Sequence, residues 1–189
     1  MKPFCSGSRA DVALLRSLQG RELTTDEINP FYFREPVAPL VAMRKEGRKI
    51  SLAEVLERIQ DVERRSERLV IEGTGGVLVP LSEGFAVADL IGELGCWVIV
   101  ASRNQLGTLN HTLLAVNTLQ YKGIGPIKVV LMDQRRVDVS GHSNQRILNE
   151  LLFPLKVSRL PFLGPRALFR ACFQKNYGKI KKKLARLLS

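Results

Sequence analysis

The apolar positions along this chain change period several times, and each change predicts an element. In "SRADVALLRSLQG", Val12, Leu14, Leu15 and Leu18 line one side, Ser8 can cap the start and Gly20 ends the run, which predicts a short helix. "INPFYFREPVAP" holds three prolines and three aromatic residues in twelve positions and reads as a stiff, partly buried loop. "SLAEVLERIQDVERRSE" gives the clearest helical signal. Leu52, Val55, Leu56, Ile59 and Val62 recur at helical spacing, and Ser51 with Glu54 predicts a capping box.

Beyond this helix, apolar runs alternate with amphipathic ones. "RLVIEGTGG" is a short apolar run that ends at an acid and glycines. It is followed by a helix in "FAVADLIGELG", a strand in "WVIVAS", a helix in "LNHTLLAVNTLQYKG" and a strand in "IKVVLMD". The strands are apolar at consecutive positions, which predicts strands buried on both faces of a parallel sheet. "SGHSNQRILNELL" predicts a further helix, capped at Ser140 or Ser143. "KVSRLPFLGP" predicts a short strand and turn, and the last segment predicts a basic helix. Strand–helix–strand repetition with short connections implies an α/β domain. There is no internal repeat and no linker, so the expected organisation is an α/β domain over 1–163 and a basic helical tail over 164–189.

Composition narrows the class. The 189 residues are 45% hydrophobic and 25% charged, which suits a folded domain with a sizeable core. The N-terminus has no leader-like apolar run and no window reaches membrane-spanning length, so a cytoplasmic protein without membrane contact is expected. Three widely spaced cysteines and two histidines argue against a disulfide framework and a structural zinc site. The net charge is +11, but eight of the 29 bases lie after Leu163 in a stretch without acids. Without them 21 bases face 18 acids, so the body is close to neutral and nucleic acid is an unlikely partner.

In open α/β sheets ligands bind beyond the carboxyl ends of the strands. That rule directs attention to "EGTGG", "ASRNQLGTLNH", "MDQ" and the acid in "RADVA". Glu72 ends an apolar run ahead of Gly73, Gly75 and Gly76. It can hold a magnesium ion or its waters while the glycines admit a ligand to the backbone, or it can be an ordinary turn acid. Gly107 and Thr108 open a helix, with Asn110 and His111 following. This start can bind an anion, or be a plain capped helix with a packed His111.

"KPFCSG", "RADVALL", "INPFYFREPVAP", "VIEGTGGVLVPLSEGFAVADLI", "VIVASRNQLGTLNHTLL" and "LPFLG" occur in that order. Taken together they resemble the dethiobiotin synthetases, from Lys2 to about Gly164. The resemblance implies a three-layer, mostly parallel sheet of the P-loop NTPase type. It also implies an ATP- and Mg2+-dependent ligase of biotin biosynthesis that converts 7,8-diaminononanoate and CO2 or bicarbonate to dethiobiotin, working as a homodimer. Carried over by position, Lys2 matches the family's catalytic lysine and Ser6 a substrate-contacting serine. Asp11 and Glu72 match the magnesium-associated carboxylates. Glu72, Gly73, Thr74 and Gly75 match the nucleotide loop, with Thr74 where the family has alanine. Gly107, Thr108 and Asn110 match the segment that holds the substrate's carboxylate tail across the dimer. Pro161, Phe162 and Leu163 match the stretch beside the adenine. The family's base-reading asparagine falls at or next to Met132, which makes the following Asp133 a nucleotide-binding candidate, and a methionine lacks the amide's paired donor and acceptor.

One part of the family pattern is missing. Family members begin with a strand, a GxxxxGK[ST] loop, a helix and a second strand ending in "KP". Here Met1 directly precedes Lys2-Pro3, and no GxxxxGK[ST] occurs. The expectation is an N-terminally truncated member lacking about 30–45 residues, with impaired activity because the phosphate cradle is absent. The alternative is an inactive remnant or a non-catalytic module that binds through its basic helix.

Overall fold

A computed structural model describes residues 1–20, 22–136, 138–164, 177–178, 180–185 and 187. The chain divides into two compact units, residues 1–94 and 95–189.

The first unit contains β1 (Phe4–Ser6), α1 (Ala10–Leu18), α2 (Thr25–Ile28), β2 (Phe31–Phe33), α3 (Pro39–Glu46), α4 (Leu52–Glu63) and α5 (Val87–Leu94). β1 and β2 pair in parallel, with Phe4 opposite Phe31 and Ser6 opposite Phe33. The proline-rich stretch is therefore not a loop throughout. Its three aromatic residues form a strand, and Phe31 and Phe33 are buried. The prolines flank that strand, where their missing N–H groups do not interrupt the ladder. Phe4 stacks on Phe31 with ring centroids 5.0 Å apart, inside a core that includes Val55, Ile59 and Val62 of α4. The periodicity of α4 thus identifies its buried face. Ser51 caps it by accepting from the Glu54 N–H at 3.2 Å. The full reciprocal box lies two helices earlier, at Thr24 and Glu27 of α2.

The segment around "RLVIEG" is not a regular strand. It pairs with Met1: the Glu72 N–H donates to the Met1 carbonyl at 2.8 Å, and the Met1 nitrogen donates to the Val70 carbonyl at 2.6 Å. Val70 remains 72% exposed. On the opposite side of the same stretch, the Lys2 N–H donates to the Ile28 carbonyl and the Phe31 N–H to the Pro3 carbonyl. Residues 1–3 thus run between 28–31 and 70–72. Buried Asn29 fastens them further, its Nδ2 donating to the carbonyls of Lys2 at 3.0 Å and Pro3 at 3.1 Å.

The second unit contains β3 (Val98–Asn104), α6 (Thr108–Tyr121), β4 (Ile127–Asp133), a 3₁₀ turn (Val139–His142), α7 (Asn144–Leu151) and β5 (Val157–Leu160). The three strands pair in parallel in the order β3-β4-β5, with Asn104 opposite Asp133 and Met132 opposite Leu160. The central strand β4 buries Val129, Val130 and Leu131, as consecutive apolar residues predict. β3 departs from that expectation. Val98 and Asn104 are buried, but Ile99, Ala101 and Arg103 are exposed. The helix predicted from "SGHSNQRILNELL" is split at Ser143 into the 3₁₀ turn and α7.

Within the basic C-terminal segment, Ile180 and Leu187 are buried against Val130 and Leu160. Lys183 Nζ donates to the Arg159 carbonyl at 2.7 Å. Arg166, Arg170, Lys175, Lys179 and Arg186 lie outside the described residues. No described helix is long and apolar enough to cross a membrane.

Two stability tests follow from the first unit. Asn29→Ala removes the donor to the Lys2 carbonyl and leaves the Pro3 carbonyl with the Phe31 N–H alone, and is expected to cost about 1–3 kcal/mol in urea denaturation; Asn117→Ala, at an exposed helical position, is expected to stay within about 0.5 kcal/mol. The second test concerns Glu27. The Thr24 N–H, the Arg65 guanidinium and the Thr24 hydroxyl hold its carboxyl down at about 2, from an ordinary 4.5. A lowered folded value stabilises above the unfolded pKa and is lost as pH falls through the folded one. Melting temperatures of the native protein and Glu27→Gln are expected to differ at pH 6 and converge near pH 2.

Candidate functional site

Lys2 is placed by backbone bonds on both of its flanks, and its side chain is only 11% exposed. Its ammonium reaches two carboxylates from distant parts of the first unit. Nζ donates to Asp11 Oδ2 at 2.8 Å and to Glu72 Oε1 at 2.7 Å. Asp11 lies in the first turn of α1, and Glu72 follows the segment held by Met1. Burial opposes the charge on Lys2, but hydrogen bonds and attraction from Asp11 and Glu72 outweigh it and raise its pKa above the ordinary lysine value. The ammonium is therefore fully charged at neutral pH. The carboxylate side chains are 62% and 50% exposed, so they are open to solvent on their outer sides.

Ser6 ends β1. Its Oγ is buried and has no hydrogen-bond partner among the described residues. Leaving such a hydroxyl unpaired costs about 1–3 kcal/mol, a deficit that a ligand oxygen or nitrogen can relieve. The turn that follows is tightly built. Gly7 has φ +74°, and a Cβ there would stand 2.9 Å from Pro36 Cβ. Arg9 lies 4.1 Å over the Tyr32 ring and donates to Asn29 Oδ1 at 3.2 Å. Asn29 thus joins Arg9 to the backbone that carries Lys2. In the Glu72–Gly75 loop, Gly73 is exposed and Thr74 half-buried. Gly75 has φ +67°, and a Cβ would meet Val79 Cγ2 at 2.7 Å. Only glycine fits there.

The candidate residues of the second unit follow the carboxyl ends of β3, β4 and β5. Asp133 Oδ1 accepts from Asn104 Nδ2 at 2.8 Å and from Arg159 Nε at 2.7 Å. Burial raises the Asp133 carboxyl, but those bonds and the nearby Arg159 and Lys183 charges outweigh it and keep the pKa below the ordinary value. Asn144 Nδ2 donates to Asn104 Oδ1 at 3.0 Å, and both asparagines are buried. Asp138 Oδ2 accepts from the Leu106 N–H at 2.7 Å, and its Oδ1 accepts from the Gly141 N–H at 3.0 Å. These bonds fix the turn before α6. In that turn Gly107 takes φ +91° and is exposed, as are Asn110 and His111. Thr108 is buried, with its hydroxyl 3.5 Å from that of Thr112. Met132 is half-buried against the apolar cluster of Val130 and Leu160. Pro161 and Leu163 are half-buried, while Phe162 is 43% exposed.

Lys2, Asp11 and Glu72 are thus in direct contact. Gly107, Thr108, Asn110, Asp133 and Pro161–Leu163 belong to the second unit. Sequence reasoning missed Asn29, Asn104, Asp138, Asn144 and Arg159. Each acts through bonds to residues far away in the chain, and such bonds leave no periodic trace. The one available signal was a polar Asn104 at the end of an apolar strand.

The donor set suits magnesium. Asp11 and Glu72 offer two hard carboxylates that already converge on one cation, and no group of three or more His, Cys, Asp or Glu among the described residues surrounds a common point. Magnesium commonly uses one or two protein carboxylates and completes its shell with water and phosphate oxygens.

A protein-family model described as an AAA domain matches residues 1–164. The ATP-dependent dethiobiotin synthetase of Bacillus licheniformis is 36% identical over 171 residues, covering 86% of this chain and 69% of that protein. The Bacillus subtilis protein of the same name is 34% identical over 171 residues, covering 86% of this chain and 71% of the relative. A third, from Methanococcus vannielii, is 37% identical over 131 residues, and there the match spans 69% of this chain and 62% of the relative. With most of its length matched at this level, the chain belongs to the dethiobiotin synthetase family.

Proposed function

We propose that this chain supplies the metal- and diamine-holding part of an ATP-dependent dethiobiotin synthetase. The substrate is 7,8-diaminononanoate with one amine carboxylated by CO2 to a carbamate. A carbamate oxygen attacks the γ-phosphorus of ATP, the bond to the β–γ bridging oxygen breaks, and ADP departs. The second amine then attacks the carbonyl carbon of the mixed anhydride, loses a proton, and expels phosphate as the cyclic urea closes. The observation that carries this reading is the convergence of Lys2, Asp11 and Glu72 through contacts of 2.8 and 2.7 Å.

In this proposal each residue has a defined task. The Lys2 ammonium neutralises the carbamate and the charge that develops during transfer. The unpartnered Ser6 hydroxyl bonds the substrate. Asp11 and Glu72 hold the magnesium ion, which when bound offsets the charge of the phosphate oxygens. Gly73, Thr74 and Gly75 let the nucleotide approach the backbone. The ionised Asp133 accepts from a donor on the base, beside Pro161, Phe162 and Leu163. Gly107, Thr108 and Asn110 hold the substrate's carboxylate tail in a homodimer; exposed Leu106 and Leu114 nearby are apolar surface available to a second copy.

No GxxxxGK[ST] occurs in the 189 residues. The row of N–H groups, the lysine and the hydroxyl that such a loop brings to a triphosphate are therefore not supplied by this stretch of sequence. Loss of a single preorganised donor costs about 10²–10³ in rate. The expected outcome is that the 189 residues alone bind the diamine in the presence of bicarbonate but form dethiobiotin at least about 10³-fold more slowly than a protein in which a strand–GxxxxGK[ST]–helix unit precedes Met1. In that longer protein, Lys2→Ala and Glu72→Gln are expected to lower kcat by about 10²-fold or more. Product assays by mass spectrometry check this. Ordinary turnover by the 189 residues would remove the claim about the cradle, and absence of both product and diamine binding in the longer protein would remove the proposed activity.

A further inference from the structure

The cation between Asp11 and Glu72 is supplied by the protein itself. Lys2 Nζ sits within 2.8 Å of one carboxylate and 2.7 Å of the other, so one ammonium already offsets half of their combined charge before any metal arrives. A magnesium ion takes carboxylate oxygens at about 2.0–2.1 Å and carries two positive charges. It cannot occupy the same oxygens while the ammonium remains there, because the two cations would stand at near-contact distance and repel.

The surroundings allow the ammonium, and not the backbone, to yield. Lys2 is anchored by its own N–H on the Ile28 carbonyl at 2.8 Å and by its carbonyl on Asn29 Nδ2 at 3.0 Å. The four-carbon stem beyond that anchor is flexible, and the ammonium has no fixed donor geometry to preserve. The neighbouring guanidinium cannot take its place, since Arg9 is engaged with Asn29, with Asp26 at 3.7 Å and with the Tyr32 ring. Asp11 and Glu72 are half-exposed or more, so a hydrated ion can approach them from solvent.

We propose that Lys2 is a resident counter-ion that competes with the divalent metal for Asp11 and Glu72, and that metal entry releases its ammonium. This inference rests on the functional reading above and adds an order of events to it. Without metal the ammonium is held on the carboxylates. With metal it is discharged from them and becomes available to an anionic substrate group. Metal and carbamate then favour each other's binding, and by linkage the effect is reciprocal.

The test is Mn2+ binding to the full chain, read from the electron paramagnetic resonance signal of free Mn2+ and checked by calorimetry. Lys2→Met removes the competing charge and leaves two carboxylates facing each other. It is expected to bind Mn2+ about tenfold more tightly than the native protein, the scale of two partly exposed ion pairs. Lys2→Arg keeps a cation and is expected to bind like the native protein. Asp11→Asn and Glu72→Gln are expected to weaken binding. If Asp11→Asn and Glu72→Gln weaken binding but Lys2→Met leaves it equal or weaker, competition is refuted and the metal site stands. If neither acid variant changes binding, the metal assignment itself fails. Should Lys2→Met lose its cooperative thermal transition, amine labelling of the native protein decides. Magnesium is expected to raise the labelling of Lys2 several-fold, and unchanged labelling overturns the proposal.

Discussion

A single ammonium, shared between carboxylates nine and seventy residues away, is the contact on which the candidate site depends. Without it the half-exposed Asp11 and Glu72 carboxylates would repel each other. With it, the first turn of α1 and the end of the "RLVIEG" segment are drawn to one point. The contact is strong enough to matter because Lys2 is largely shielded while its partners remain wet. That asymmetry also leaves the acids accessible to a competing cation.

The rest of the first unit serves to hold Lys2 where it is. Pro3 lacks a backbone N–H, so the segment that leads from Lys2 into β1 has no donor at that position. Asn29 compensates by donating to the carbonyls of both Lys2 and Pro3, and Arg9 holds Asn29 in turn. Below them, Phe4, Phe31 and Phe33 anchor the paired strands in the core. The second unit uses the same kind of device. Buried Asn104 and Asn144 fasten the end of β3, and Asp138 fixes the turn that leads into α6. In both units, side-chain amides and carboxylates complete backbone segments that leave the sheet.

Much of the fold is legible from apolar spacing alone. β4 spans Ile127–Asp133 as its sequence run predicts, and the buried face of α4 is the one its periodicity marks. Two strands defeat that reading for opposite reasons. β2 is hidden because its prolines read as loop, although they flank the aromatic triplet. "RLVIEG" is as apolar as a strand, yet among the described residues its backbone pairs with Met1 alone. The site was legible only in part. Glu72 stands out at the end of an apolar run, whereas Lys2 and Asp11 were reached through family resemblance. Asn29 and Asn144 act through several side-chain bonds to residues distant in the chain, and no local pattern distinguishes them from ordinary loop and helix asparagines.

The central claim is that Asp11 and Glu72 form a cation site now held by Lys2. It is tested most directly by a crystal structure of the protein soaked in millimolar Mn2+, with anomalous scattering data. The account predicts an anomalous peak between the two carboxylates and a Lys2 ammonium withdrawn from both. A map with no peak and with Lys2 Nζ still bonded to Asp11 and Glu72 would contradict it.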